Sequence, residues 1–139
     1  MKSLILAMSF FMAASGGKLK DDPKKDENLR TITGKATYYA SYFQGRRTSS
    51  GARYSNQKYT AAHRTLPFGT EVTVTNLANG KSVVVTVNDR GPFNKRFIID
   101  ISQIAAKDIG IYRKGIGDVE ISYRLPATAA AAADSVAVN

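Results

Sequence analysis

The 139-residue sequence has no cysteine, no tryptophan and a single histidine, and its 11 acids face 20 Lys and Arg. Without cysteine there is no disulfide framework and no thiol to accept an N-terminal lipid. One histidine and scattered acids do not form a metal site, so neither a metal nor another cofactor is expected. Ser49 and Ser50 sit in nothing like a nucleophile elbow, which sets aside a Ser-His-Asp hydrolase. Long apolar runs are scarce too. Leu4 to Ala14 is apolar, follows Lys2 and ends in Ala13-Ala14-Ser15-Gly16. Residues 1–17 therefore read as a secretory signal, too short for a stable bilayer anchor. A net charge of +9 attracts polyanions. Export argues against nucleic acid, the missing thiol argues against a lipid anchor, and an anionic cell-wall polymer is left as the partner class.

Residues 18–31 mix charges densely with almost no apolar side chains and are expected to be a solvated linker. Residues 126–139 follow Pro126 with an alanine run that has no amphipathic stripe, and read as a tail. Residues 32–125 remain as one small folded unit. It holds 14 Lys and Arg against six acids, so the positive field belongs to the fold itself.

That unit is mostly strand by pattern. Gly34 to Tyr39 alternates as an edge-like strand, and Thr70 to Thr75 alternates with Val72 and Val74 inward. Asn79-Gly80 is a hairpin signal leading into Ser82 to Val87, whose valine run reads as a buried strand. Phe97-Ile98-Ile99 is a short strand. Ser102 is an N-cap for a helix over Gln103 to Ile109, stopped by Gly110, with Asp100 at the helix start. Val119 to Tyr123 alternates again. Many short strands with one helix suggest a small closed barrel, because closure removes exposed edges.

Two stretches carry candidate chemistry. Ser41 to Ala61 is long for a loop in a compact domain and rich in groups suited to sugars and their carboxylates, among them Tyr42, Phe43, Arg46, Arg47, Thr48, Ser49, Ser50, Tyr54 and Tyr59. Asn88-Asp89-Arg90-Gly91-Pro92-Phe93 places an acid and a base directly after the valine strand, where the chain must turn. A plain turn with a local ion pair accounts for this spacing as well as a functional site does.

Several ordered motifs carry a resemblance. They are Gly34-Lys35-Ala36-Thr37-Tyr38-Tyr39, Gly45-Arg46-Arg47-Thr48-Ser49-Ser50-Gly51, Thr60-Ala61-Ala62-His63-Arg64-Thr65-Leu66-Pro67-Phe68-Gly69-Thr70, Asn88-Asp89-Arg90-Gly91-Pro92-Phe93 and Ile99-Asp100-Ile101-Ser102. Residues 33–125 resemble the domain of the rare lipoprotein A (RlpA) family. The resemblance implies a mainly β fold, a six-stranded double-psi β-barrel with one or two short helices. It implies endolytic lytic transglycosylation of peptidoglycan strands lacking stem peptides, with septal cell-division proteins as further partners. Asp89 matches the family's catalytic acid/base and His63 a groove residue. Arg90, Thr48, Ser50, Tyr38 and Asn88 are expected to contact substrate beside them. The family's glutamate after Thr-x-Ser-Gly is here Ala52, no lipidation cysteine is present, and no peptidoglycan-binding repeat follows residue 125. The mature protein is thus expected to be a soluble, periplasmic or secreted monomer.

With Ala52 in place of a carboxyl, hydrolysis lacks its most natural base. Lytic transglycosylation asks for less. The attacking group is the muramic acid's own C6 hydroxyl, tethered to the reacting carbon, so one carboxyl can donate a proton and later accept one. Asp89 would have to begin protonated, and Arg90 beside it would oppose that unless its charge points elsewhere. Two readings from different classes follow: a transglycosylase working through Asp89 alone, and an expansin-like module that binds glycan without cutting it.

Overall fold

Alternating apolar residues in six short segments fold into one closed barrel. The computed structural model describes residues 26–126; the readings made for residues 1–17, for most of the charged stretch and for the tail past Pro126 lie outside the described residues. The strands are β1 (Leu29–Tyr38), β2 (Thr60–Ala62), β3 (Glu71–Asn76), β4 (Ser82–Asp89), β5 (Phe97–Ile101) and β6 (Gly117–Arg124), with helix α1 at Gln103–Ile109 and a 3-10 turn at Ser41–Phe43. Around the barrel the order is β1-β5-β2-β4-β3-β6, closing back on β1. The β1–β5 and β2–β4 pairs are parallel and the other four antiparallel.

Inward positions are filled by Ala36, Ala61, Val72, Val74, Val85, Val87, Ile99, Ile101, Val119 and Ile121, all inaccessible to solvent. Ala105, Ala106 and Ile109 of α1 pack into the same core. Successive strand side chains alternate between faces, so only one face of each strand can reach the barrel interior. This corrects the reading of the valine run as buried throughout. Val85 and Val87 point inward, while Val84 is 51% exposed.

Three boundaries also differ from expectation. β1 starts at Leu29, inside the presumed linker, because Leu29 to Ala36 pair residue by residue with Arg124 to Gly117 of β6. A backbone ladder of that kind needs no buried face and leaves no hydrophobic signal. β1 is not an edge either, since it is paired on both sides. Asp100 does not begin the helix. It lies within β5, between the buried Ile99 and Ile101.

Helix α1 ends as expected, with Gly110 in the left-handed region at φ 79°. Its start is different. Ser102 is the N-cap residue, but its hydroxyl makes no capping bond. The Gln103 N–H instead meets the Tyr54 hydroxyl at 3.3 Å and the Ile104 N–H meets the Asn56 carbonyl at 3.0 Å. The long loop after β1 therefore caps the helix, satisfying donors that would otherwise be orphaned.

Candidate active site

The site is built where β2 runs between β4 and β5. Ala61 pairs with Val87 and the next residue, Ala62, pairs with Asp89, so Asn88 is an extra residue on β4. Such a bulge re-aims the side chain that follows it. Ala61 packs in the barrel core, whereas Ala62 packs outside it against Tyr39 and Tyr54. Asp89 thus leaves the inward register of Val85 and Val87 and joins Ala62 on the outer face. On the other side of Ala62 stands Asp100 of β5. Two carboxyls flank one small residue, on strands two spacings apart, with their Cα atoms about 10 Å from each other.

Asp89 sits among donors. Its Oδ2 accepts the Tyr39 hydroxyl at 2.8 Å, and its Oδ1 accepts the Ser49 N–H and the Arg90 N–H, each at 2.9 Å. Burial pushes its pKa up, but the bonds from Ser49, Tyr39 and Arg90 outweigh burial and hold it below the usual carboxylate value. Tyr39 is shifted strongly upward, first by burial and then by its bond to Asp89, so it remains a donor. Its ring is stacked on Tyr54 at 4.1 Å between centroids.

Asp100 has the opposite tendency. Burial, with a smaller contribution from the Asp89 charge, raises its pKa against the lowering effects of Thr37 and Arg64. Its Oδ1 accepts the Thr37 hydroxyl at 2.5 Å. Its Oδ2 faces Gly91, where a Cβ would come within 3.8 Å. Gly91 is buried with φ at 135°, a conformation side-chain-bearing residues rarely adopt. Among the described residues the Asp100 carboxyl bonds through Oδ1, and Oδ2 has no hydrogen-bond partner.

The other expected residues make bonds within the fold. Arg90 points away from Asp89: its Nη1 donates to the carbonyls of Leu66 at 2.7 Å and His63 at 3.2 Å, and its guanidinium stacks over Phe68 at 4.1 Å. The expected conflict between Arg90 and a protonated Asp89 does not arise. The reason Asp89 is ionised lies in its neutral donors. His63 uses its ring Nδ1 to accept the Thr65 and Leu66 N–H groups, each at 3.1 Å, and meets Asp89 only through its backbone. Burial, then Arg64 and Arg90, lower its pKa, which keeps it neutral.

Thr48 Oγ1 bonds the Ala52 carbonyl at 2.7 Å and the Ser50 hydroxyl at 2.9 Å, and the Ser50 N–H bonds the Asn88 carbonyl at 3.2 Å. These contacts shape the turn that aims the Ser49 N–H. The Asn88 Oδ1 is buried without a hydrogen-bond partner, and Ala52 is exposed at the turn. Tyr38 is displaced by strand parity: it packs on the core side, and its hydroxyl bonds the Tyr112 carbonyl at 2.7 Å. Tyr39 is the tyrosine that reaches Asp89.

Sequence reasoning missed Tyr39, Thr37 and Asp100 as site residues. Asp100 had a signal, since it takes the opposite parity to Ile99 and Ile101. A separate cavity of about 910 Å³, lined by Lys35, Asn79, Ile111, Ile116 and Asp118, opens near the turn that precedes β4. Asp89 ends that strand, and neither Asp89 nor Asp100 lines this cavity.

A family model described as lytic transglycolase matches residues 31–121. The chain is 56% identical over 88 residues to a probable endolytic peptidoglycan transglycosylase RlpA of Synechocystis sp., covering 63% of this chain and 27% of that protein. It is 46% identical over 113 residues to the endolytic peptidoglycan transglycosylase RlpA of Neisseria meningitidis serogroup A, covering 81% and 47%. The chain thus spans about a quarter to about half the length of these relatives. Among solved structures, apo expansin of Clavibacter michiganensis shares the fold, with a TM-score of 0.56 at 24% identity over 70% of this chain and 52% of that one. With its closed six-stranded barrel of two parallel and four antiparallel pairings, the chain belongs to the lytic transglycolase family of double-psi β-barrels.

Proposed function

We propose that this chain is an endolytic lytic transglycosylase of peptidoglycan in which Asp100 donates a proton and Asp89 accepts one. The observation that carries this reading is the pair of carboxyls flanking Ala62, one held ionised by donated hydrogen bonds and the other biased toward its neutral form by burial. Titratable pairs whose surroundings push them apart divide acid and base duties in this way. The relatives' names supply the substrate class.

Asp100 Oδ2 carries the proton, because Oδ1 is engaged by Thr37. It protonates the oxygen linking muramic acid C1 to the next sugar, and that C–O bond breaks. The C6 hydroxyl of the same muramic acid bonds to C1, and its proton passes to Asp89. The products are a free hydroxyl on one fragment and a 1,6-anhydro ring on the other, with no water consumed. The tether between nucleophile and reacting carbon removes much of the entropic barrier. Solvent returns the proton from Asp89 to Asp100. Strands without stem peptides are the preferred substrate, and the chain acts as an exported, soluble monomer that septal cell-division proteins could recruit.

The second reading, a glycan-binding module that does not cut, is favoured by Ala52 where the family has glutamate. Mass spectrometry of peptide-free strands after incubation separates the two. New 1,6-anhydro ends that disappear in Asp89→Asn and in Asp100→Asn support the enzyme. Binding without new ends leaves the module.

A further inference from the structure

We infer that Arg46, held over the rings of Tyr42 and Phe43, forms a subsite for a carboxylate carried on a sugar ring. On the proposed substrate, whose assignment this inference rests on, that group is the lactyl carboxylate of a muramic acid without a stem peptide.

The subsite is on the exposed 3-10 turn. Tyr42 is 70% exposed, and its ring lies 4.4 Å from that of Phe43. The Arg46 guanidinium carbon stands 5.7 Å from the Tyr42 centroid and 5.4 Å from the Phe43 centroid. The backbone below it is pinned on both sides, with Arg46 N–H to the Phe43 carbonyl at 2.9 Å and Tyr54 N–H to the Arg46 carbonyl at 2.8 Å. Arg53, Arg64 and Arg90 spend their guanidinium donors on backbone carbonyls. The Arg46 guanidinium has no such bond, and among the described residues the ion pairs are Lys35 with Asp118 and Arg124 with Asp26. Arg46 is thus a cation beside two aromatic rings with no acidic partner among the described residues.

Its position relative to the carboxyl pair follows from the aromatic contacts. Phe43 meets Tyr39 edge-on at 5.7 Å, and the Tyr39 hydroxyl holds Asp89. The subsite is therefore one ring removed from the proposed base. An exposed aromatic face receives the apolar C–H face of a sugar, and a guanidinium fork receives a carboxylate in two parallel hydrogen bonds. A stem peptide converts the lactyl carboxylate into a neutral amide, which offers this cation nothing to neutralise. Arg46 is in this way a reader of stem-peptide removal.

The test uses the full chain carrying Asp89→Asn, so that binding is measured without turnover. Three glycan preparations of matched length are titrated calorimetrically: peptide-free strands, the same strands with lactyl carboxyls capped as methylamides, and strands retaining stem peptides. Peptide-free strands are expected to bind about tenfold more tightly than capped ones. Adding Arg46→Gln should weaken peptide-free strands selectively and so remove that difference, while Arg46→Lys should restore part of it. Equal weakening of both ligands by Arg46→Gln, or none, overturns the subsite. Strands with stem peptides that bind as tightly as peptide-free ones would assign the carboxylate to the peptide and overturn the lactyl assignment. If no preparation binds, the peptidoglycan reading fails first and the subsite with it. Strands that bind while only the Arg46 difference is missing refute the subsite alone.

Discussion

Asp100→Asn is expected to remove most turnover and yet stabilise the protein at neutral pH. The substitution is nearly isosteric, and its amide oxygen can still accept the Thr37 hydroxyl that meets Asp100 at 2.5 Å. What disappears is the titratable proton at Oδ2. A positioned general acid contributes about 10²- to 10⁴-fold, or roughly 3–5 kcal/mol of barrier, and that is the expected loss in kcat. Stability should move the other way. Asp100 has a folded pKa raised by burial and by the Asp89 charge. Its favourable contribution is complete below the unfolded value of about 3.9 and is lost as pH rises through the folded pKa, where a desolvated carboxylate must form. Asparagine cannot ionise. The Tm of the variant should therefore match wild type below the unfolded value, exceed it increasingly as pH rises through the raised folded pKa, and keep a constant lead above it. Asp89→Asn should give the mirror image, since its depressed folded pKa contributes stability that is present above the unfolded value and lost as pH falls through the folded one. Thermal unfolding across this range, with anhydro ends counted in parallel, reads the Asp100 effect, and extending it below the unfolded carboxylate value of about 3.9 reads the Asp89 effect. An Asp100→Asn enzyme with wild-type turnover, or with a stability difference independent of pH, would refute the assignment of a neutral acid at this position.

Three further outcomes are expected. Tyr39→Phe removes one of the donors that depress the Asp89 pKa, so the acid limb of kcat/KM should move to higher pH; an unmoved limb would mean that Asp89 is not the group titrating there. Arg90→Ala should lower unfolding stability by about 2–4 kcal/mol in urea, through two charged-donor bonds and the Phe68 stack, with little change in KM. A large rise in KM at unchanged stability would instead make Arg90 a ligand contact. Ala52→Glu should leave turnover within about threefold of wild type, under about 1 kcal/mol of barrier. A gain of orders of magnitude would show that Asp89 lacks a working partner in the natural chain.

The barrel was legible because its inward residues are β-branched and alternate: Val72 and Val74, Val119 and Ile121 announce both strand and face. The start of β1 was not, because Leu29 to Lys35 are held by a ladder to β6 and bury little. Within the site, the place of Asp89 at the end of the valine strand was legible, while its proposed role came from the resemblance and not from that spacing. The bulge at Asn88 was not, since one extra residue leaves no mark in composition yet decides which face Asp89 joins. Tyr38 ends β1 and Tyr39 follows it on the opposite face, and only the structure shows that the Tyr39 face is the one that reaches Asp89. Asp100 stands just before the helix signal at Ser102, yet its alternation with the buried Ile99 and Ile101 marks it as a strand residue.

The residues expected to touch substrate also share a structural task, and the physics of a charged oxygen explains why. A carboxylate on a partly buried rim needs donors fixed before substrate arrives, because loose donors would have to be ordered during each turnover. Thr48 and Ser50 close the turn that aims the Ser49 N–H, and the Asn88 carbonyl fastens that turn to β4. Arg90 and His63 brace the neighbouring loop through carbonyls and N–H groups of residues 63–66. The same long loop caps α1 through Tyr54 and Asn56, while Tyr54 stacks on the tyrosine that bonds Asp89. Loosening the turn around Ser49 should thus affect chemistry before it affects binding. On the proposed reading, substrate would meet groups that the scaffold leaves uncommitted, Asp100 Oδ2 at the centre and the Arg46 guanidinium farther out.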